Sequence, residues 1–446
     1  MKKRILSIIL IFSIVFTGIF IDNKTYAKDE DVLVENFDEK FDGIDEIVNE
    51  RLELGSIPGA VVLVSQKGKI VYEKAFGYGF LNDMGERLEN PRPMTVDTLF
   101  DLASVTKVMA TTQSIMKLVD QGKIDLDEKV IKYIPEFGQN GKENVTIRQL
   151  LTHTSGLPQW EAIFLYVNKD RDEVLKYINS LPLMFEPGEE KYSDIGFQTL
   201  GFVIEAVSGM PMEEYAKENI YKPLGLENTT YLPLENGFTK DRIAATSFGN
   251  PYENAMVDEI NHPGIGYDMT KDLEAFKNFD NSRWRDYTLI GEVNDGNTWM
   301  ANGGVAGHAG LYSTARDLAV ISQMMLNGGE YNGVRIYSKE VIDEFTSMQN
   351  NSKERGLGFE LAKTWYMGDS VSDVTFGHTG FTGTQIIIDK GNETAVIILT
   401  NKQNVGFRDE DSFSYWSTGG LSADISEFVR KLVESPLDLS KLKDII

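Results

Sequence analysis

Gly59-Ala-Val-Val-Leu-Val-Ser-Gln66, the pair Lys67-Gly68 and the run from Lys69 to Gly77 are the stretch on which the fold turns. A continuous β-branched run, a glycine turn and a second run predict a β-hairpin. Far along the chain Thr384-Gln-Ile-Ile-Ile-Asp-Lys390, Gly391-Asn392 and Glu393 to Asn401 repeat the pattern. Apolar residues at helical spacing flank the pair, over Phe37 to Leu54 before the first hairpin and Leu421 to Val433 after the second. Between the hairpins the patterns are mostly helical and the loops long. The prediction is an α/β chain of the α+β type, with one antiparallel sheet formed by both chain ends, flanked by helices, and a mostly helical lobe inserted at about 123–370. One domain is expected over 28–435, followed by a tail at 436–446.

Lys2, Lys3 and Arg4 precede an uncharged run from Ile5 to Ile21 and the small-residue stretch Thr25-Tyr26-Ala27. Such a pattern over 1–27 predicts export with cleavage after Ala27, the alternative being an uncleaved membrane anchor. The expected location is extracellular or at the cell envelope, with membrane contact only through that segment. Without Cys, the chain has no disulfide, no thiol nucleophile and no lipid-anchored cysteine. The net charge of −24 becomes −27 once Lys2, Lys3, Arg4 and Lys24, set against Asp22, are removed. A chain so acidic repels phosphates, which excludes a nucleic-acid partner. Its sequence leaves the oligomeric state open.

Ala103-Ser104-Val105-Thr106-Lys107 opens a segment whose apolar positions recur at helical spacing and stop at Gly122. Ser104 is thereby expected at a helix N-terminus, with Lys107 three residues on and on the same face. A serine hydroxyl becomes a nucleophile when a neighbouring base takes its proton, and a desolvated Lys of lowered pKa is one such base. Alone, Ser-x-x-Lys is equally a helix cap followed by a surface lysine. Four histidines, His153, His262, His308 and His378, lack a metal-ligand spacing, so neither metal nor cofactor is expected.

Two further stretches follow in order: Pro187-Gly188 with Lys191-Tyr192-Ser193-Asp194, entering a helical pattern that ends at Ser208-Gly209, and Phe376-Gly377-His378-Thr379-Gly380-Phe381-Thr382-Gly383 before the second hairpin. With Ser104 and Lys107 they resemble the serine β-lactamase and penicillin-binding protein superfamily, its class C-like branch of DD-peptidases and esterases in particular, over about 37–435. Leu150 to Pro158 and the Gly-rich stretch Gly303 to Leu318 also resemble that branch. The first is read as a short helix stopped by Gly156 and Pro158, and the second as a backbone close to the pocket with Ser313 or Thr314 starting a helix. Gly291 to Asn297 resembles a segment found in cell-wall recycling amidases and is read as a substrate-side loop, a polar turn being the plainer alternative.

The resemblance implies an acyl-enzyme on Ser104, with Lys107 and Tyr192 handling the proton and the N–H groups of Ser104 and Phe381 forming the oxyanion hole. Asp194, His378, Thr379, Gly380 and His308 are the expected substrate-binding residues, although for His308 a hydrogen-bonded structural role is the favoured reading. Two positions depart from the family pattern. Asp194 replaces the usual Asn and is expected to pair with Lys107, keeping it charged and shifting proton acceptance toward a coupled Tyr192 and Lys107 pair. His378 replaces the usual Lys, which argues against efficient β-lactam hydrolysis. Peptidoglycan-derived substrates are implied, cut by a D-alanyl-D-alanine carboxypeptidase or related cell-wall amidase. A broad esterase or weak β-lactamase, a penicillin-binding sensor without turnover, and a Ser-His-Asp triad using one of the histidines are the alternatives.

Overall fold

Alternate residues of the central strands face two separate apolar layers, so the sheet is buried on both sides. The computed structural model describes residues 32–349 and 354–434. The targeting segment expected at 1–27 and the tail expected at 436–446 lie outside the described residues. The strands of the large sheet are β1 (Val34–Glu35), β2 (Gly59–Gln66), β3 (Lys69–Asp83), β4 (Glu86–Pro93), β5 (Glu360–Leu361), β6 (Thr375–Thr379), β7 (Thr384–Asp389) and β8 (Thr394–Thr400). Their order is β1-β3-β2-β8-β7-β6-β5, with β4 paired to β3. Only β1 runs parallel to its neighbour. The two hairpins meet at β2 and β8, where Val64 lies opposite Val396 and Val62 opposite Ile398.

On one face Val62, Val64, Val396 and Ile398 pack with Ile44 and Val48 of the helix Ile44–Glu53 and with Leu421, Ile425 and Val429 of the helix Gly419–Glu434. On the other, Val61, Leu63, Ile386 and Ile397 join the main core, to which the helix Ala315–Leu326 contributes Leu318 and Ile321. Each fully buried Val, Leu or Ile is worth about 1.5–3 kcal/mol. A one-residue slip of register would send every such side chain to the opposite layer, and this fixes the pairing.

The structure corrects two local expectations. β3 continues six residues past Gly77 to Asp83 and turns back through Met84-Gly85 into β4. Pro91 and Pro93 hid that strand, because proline is confined to strand edges. The short helix Ile147–Leu151 ends well before Gly156. Thr152 donates its hydroxyl to the Arg148 carbonyl (2.9 Å) and shares a hydrogen bond with Thr154 (2.8 Å), while His153 turns to φ 58°. These local bonds end the helix before glycine is needed.

The segment from Ala103 is a 3-10 turn to Val105, a π turn over Lys107–Thr111 and an α-helix over Thr112–Asp120. The spacing had predicted a regular helix. Lys107 through Met116 is buried on every side, so this helix is a central pillar and not an amphipathic surface element.

Candidate active site

Asp101 sets the entry to the pillar helix. Its two carboxylate oxygens accept the Ala103 N–H at 2.9 Å and the Asn294 N–H at 2.6 Å. Ala103 adopts φ 45°, a conformation costly for a residue with a Cβ, and the next residue, Ser104, is presented to a cavity of about 280 Å³. Burial raises the Asp101 carboxyl to about 6 against the two amide donors that lower it.

The Ser104 Oγ accepts two hydrogen bonds, from Lys107 Nζ at 3.0 Å and from the Tyr192 hydroxyl at 2.9 Å. Lys107 is fully buried. Its ammonium also donates to the His308 carbonyl at 3.1 Å and is ion-paired with Asp194 Oδ1 at 2.7 Å. Burial pulls the Lys107 pKa down, but Asp194 and Tyr192 outweigh it and the net shift is upward. The lowered lysine expected from desolvation alone is therefore corrected: the carboxylate that replaces the usual amide holds the proton on Nζ. Burial likewise raises the Tyr192 phenol, which Lys107 only partly offsets. Serine, lysine and tyrosine thus form one coupled cluster whose titration belongs to the set.

Tyr192 is held by residues around it. Ser193 caps the helix Asp194–Ser208, accepting the Gly196 N–H at 3.0 Å, donates its hydroxyl to the Pro158 carbonyl at 2.6 Å, and gives its own N–H to His153 Nδ1 at 2.9 Å. The His153 ring also packs on Tyr192, 4.6 Å between centroids. Burial drives His153 well below the ordinary imidazole pKa, so it stays neutral and accepts that N–H.

The Gly-rich stretch approaches through its backbone. Gly307 lies so close to the helix Asp194–Ser208 that a Cβ would stand 2.0 Å from the Phe197 carbonyl oxygen, and its own carbonyl accepts the Thr111 hydroxyl at 2.6 Å. Thr314 caps the following helix. The His308 ring is turned away from the cavity, 1% exposed, with Nε2 3.1 Å from Asp295 Oδ1. Of the two expected roles for His308, the structural one matches this placement, and its carbonyl is what reaches the cluster. Asn294 and Asn297 are buried too, so Gly291 to Asn297 is scaffold behind the nucleophile and not the substrate-side loop expected.

The other wall comes from β6 and the turn into β7. Thr382 donates to the Asp101 carbonyl at 2.7 Å and Thr384 to the Leu102 carbonyl at 2.9 Å, tying the turn to the nucleophile loop. A Cβ on Gly380 would meet the Leu102 carbonyl oxygen at 2.4 Å, so only glycine permits this approach. His378, Thr379, Gly380 and Phe381 all line the Ser104 cavity. Burial lowers the His378 imidazole to about 4, leaving it neutral. Gln385, Glu360, Trp365 and Lys402 also line the cavity and carried no distinguishing signal in the sequence.

Comparison with known proteins follows the same lines. An N-acetylmuramyl-L-alanine amidase of Bacillus subtilis (strain 168) is 34% identical over 89% of this chain and 91% of its own. A protein of Escherichia coli (strain K12), named provisionally as a D-alanyl-D-alanine carboxypeptidase, is 35% identical over 82% of each chain. Among solved structures, the octameric penicillin-binding protein homologue from Pyrococcus abyssi superposes with a TM-score of 0.61 over 88% of this chain and 77% of that one, at 22% identity, a likeness of fold. The family model described as Beta-lactamase matches residues 44–418, and the chain is a serine hydrolase belonging to that family.

Proposed function

We propose that the protein is an exported acyl hydrolase of peptidoglycan-derived amides, acting as a D-alanyl-D-alanine carboxypeptidase or a muramyl-peptide amidase through an acyl-enzyme on Ser104. The observation that carries this reading is the Ser104 Oγ held at 3.0 Å from Lys107 Nζ and 2.9 Å from the Tyr192 hydroxyl at the edge of a cavity. Two relatives, 34% and 35% identical, carry names with those substrates, which supports the chemical class. The N-terminal pattern of charged, apolar and small residues supports export.

Ser104 Oγ bonds to the carbonyl carbon as its proton passes to the Lys107 and Tyr192 cluster, and the same cluster returns a proton to the departing amine. Water then attacks the ester carbonyl and frees Ser104. The N–H groups of Ser104 and Phe381 are the assigned oxyanion donors, one such donor being worth about 3–4 kcal/mol. Since the cluster rests with both Lys107 and Tyr192 protonated, its active form has one proton fewer.

A neutral His378 where relatives of this type place a cation favours a second reading, hydrolysis of uncharged esters. One experiment separates the two. Wild-type and Ser104→Ala proteins are given a D-Ala-D-Ala peptide, an N-acetylmuramyl-L-alanine peptide and a short-chain ester, with fluorophosphonate and fluorescent penicillin labelling in parallel. Peptide or muramyl-peptide cleavage that depends on Ser104 is the expected result. Ester turnover alone selects the esterase; label without turnover selects a sensor, and neither label nor turnover sinks the enzyme reading.

A further inference from the structure

The wall of the Ser104 cavity beyond β6 holds polar groups that the mechanism does not use. Glu360 on β5 stands opposite Gly377 of β6, and Gln385 on β7 opposite Thr379, so the two side chains share one face of the sheet. His378 belongs to the other face, where its ring lies 6.2 Å from that of Tyr192. Glu360 is 8% exposed and Gln385 2%, and both line the cavity. Gln385 donates to the Thr418 hydroxyl at 2.9 Å, and its buried Oε1 has no hydrogen-bond partner. Glu360 Oε1 lies 3.7 Å from the Arg355 guanidinium, with the Tyr366 hydroxyl behind it, while Oε2 is buried and unpartnered. Buried polar atoms are rarely left so in folded proteins, and here two acceptors meet one cavity.

Lys402, on the 3-10 turn Lys402–Val405, adds a donor to the same lining. No carboxylate acts on it, and burial alone lowers its pKa, to about 8. Trp365, on the short helix Thr364–Met367, completes the wall and is 53% exposed. Its indole is seated on the start of the helix Gly419–Glu434, where a Cβ on Gly419 would stand 2.5 Å from two of its ring carbons. Open acceptors and a donor on one wall discriminate between ligands. A carboxylate only accepts and leaves Glu360 and Gln385 unmet, and an ammonium only donates and meets the charge of Lys402. Hydroxyl groups do both. A pyranose carries them around its edge and C–H groups on its faces, the surface that an aromatic ring covers. The cavity, about 280 Å³, is just under the roughly 300–1,000 Å³ of most ligand pockets, room for one ring and not a chain.

We infer that Trp365, Glu360, Gln385 and Lys402 form a subsite for one sugar ring of the substrate, the indole covering a ring face and the polar side chains meeting its hydroxyl groups. This rests on the acyl-hydrolase reading above and narrows it to muramyl amides, in which the scissile carbonyl belongs to the lactyl arm of the sugar. The ring then lies on the acyl side: as the bond from Ser104 Oγ to the carbonyl carbon forms and the carbon–nitrogen bond breaks, the sugar stays on the enzyme and the peptide leaves as the amine. Trp365 and Gln385 are specificity residues, touching substrate away from the reacting carbonyl. A substrate without the ring leaves their polar neighbours unpaired, and this is what the site discriminates against.

The test compares ligands that differ only in the sugar. Binding to the intact Ser104→Ala protein is measured for N-acetylmuramyl-L-alanyl-D-isoglutamine and for D-lactyl-L-alanyl-D-isoglutamine, which keeps the same amide and lacks the ring. The muramyl ligand is expected to bind about 10- to 100-fold more tightly. Trp365→Ala, added to Ser104→Ala, is expected to bring it to the level of the lactyl ligand, and Trp365→Phe, which keeps an aromatic ring, to retain most of the preference. Gln385→Ala is expected to reduce the preference about 3- to 10-fold, with thermal unfolding confirming that each variant folds. Equal binding of the two ligands, or a preference that survives Trp365→Ala, overturns the subsite. So does an equal loss of both ligands in Trp365→Ala, which would place peptide on this wall. Binding requires no turnover: wild-type cleavage of the muramyl ligand with no sugar preference removes the subsite alone, whereas a sugar preference without cleavage upholds the subsite and counts against the acyl-hydrolase reading.

Discussion

The two walls of the Ser104 cavity differ in how their lysines are matched. On the nucleophile side, Lys107 donates to Ser104 Oγ and the His308 carbonyl, Tyr192 donates to Ser104, and Asp194 balances the buried charge. On the β6–β7 side, His378 Nε2 and Gln385 Oε1 lack partners and Lys402 has no counter-charge among the described residues. Lys107 is held at a fixed distance from Ser104 by its carbonyl and carboxylate neighbours, as a preorganised group must be, whereas no counter-charge among the described residues fixes Lys402. The lysines sharpen the contrast: the fully buried Lys107 is pushed up by its neighbours, while burial brings the partly exposed Lys402 down to about 8.

Removing the paired lysine is the harshest way to break this comparison. Lys107→Ala is expected to lower the rate of acylation about 1,000-fold or more, read by single-turnover labelling with a fluorophosphonate. If most activity survives, a histidine is the base and the two-wall description fails. Tyr192→Phe removes one donor and one proton carrier while keeping the ring against His153; a loss of about 100- to 1,000-fold in the labelling rate is expected from the same assay.

Asp194→Asn tests the charge balance. Lys107 and Tyr192 are both raised in the folded protein, so the acid limb of kcat/KM is expected on the alkaline side of neutrality, with activity rising as the cluster loses a proton. Exchanging the carboxylate for an amide removes the larger of the two influences that raise Lys107, and the limb should move to lower pH. A pH profile that stays in place would show that Asp194 does not set the protonation of the cluster.

Behind the nucleophile, Asp295→Ala should cost about 1–3 kcal/mol, seen as a lower Tm with acylation chemistry altered far less than by Lys107→Ala. Although burial opposes it, His308 and the Thr298 donors hold Asp295 below the ordinary carboxylate range. Its contribution is therefore present above the unfolded carboxyl pKa and lost as the pH falls through the lower folded value, so the Tm difference should shrink in acid. The smallest effect belongs to His378. With its imidazole lowered to about 4, NMR should show no titration of this ring between about pH 5.5 and 8. A ring that titrates within that window would show that burial does not keep His378 neutral.

Much of this was legible where a residue type leaves little choice. The β-branched runs at Gly59–Gln66 and Thr384–Asp389, each ended by a glycine turn, fix the hairpins because alternation and turn chemistry agree. Ser104 and Lys107 sit three residues apart, a spacing that a helical turn converts to contact, and the ion pair with Asp194 follows from a carboxylate standing where an amide is usual. The environment decides the remainder. Whether a histidine ring faces a cavity or an aspartate depends on chain segments distant in sequence, as His308 and Asp295 illustrate. Lys402 is indistinguishable from a solvated lysine until Phe381, the end of β8 and the helix Gly419–Glu434 are folded around it. The net rise of Lys107 sets burial against Asp194 and Tyr192, a balance that only distances decide.

The pairing of β2 with β8 also sets the order of events during synthesis. Residues 60–66 leave the ribosome early, yet the strand they bind comes from 394–400, and the wall that faces Ser104 comes from 378–381 and 402. Contacts so distant in sequence form late and slow the folding of the sheet. A nascent chain that has already emitted Ser104, Lys107 and Tyr192 still lacks the turn that presses Gly380 against Leu102, so hydrolytic competence arrives only with the final strands.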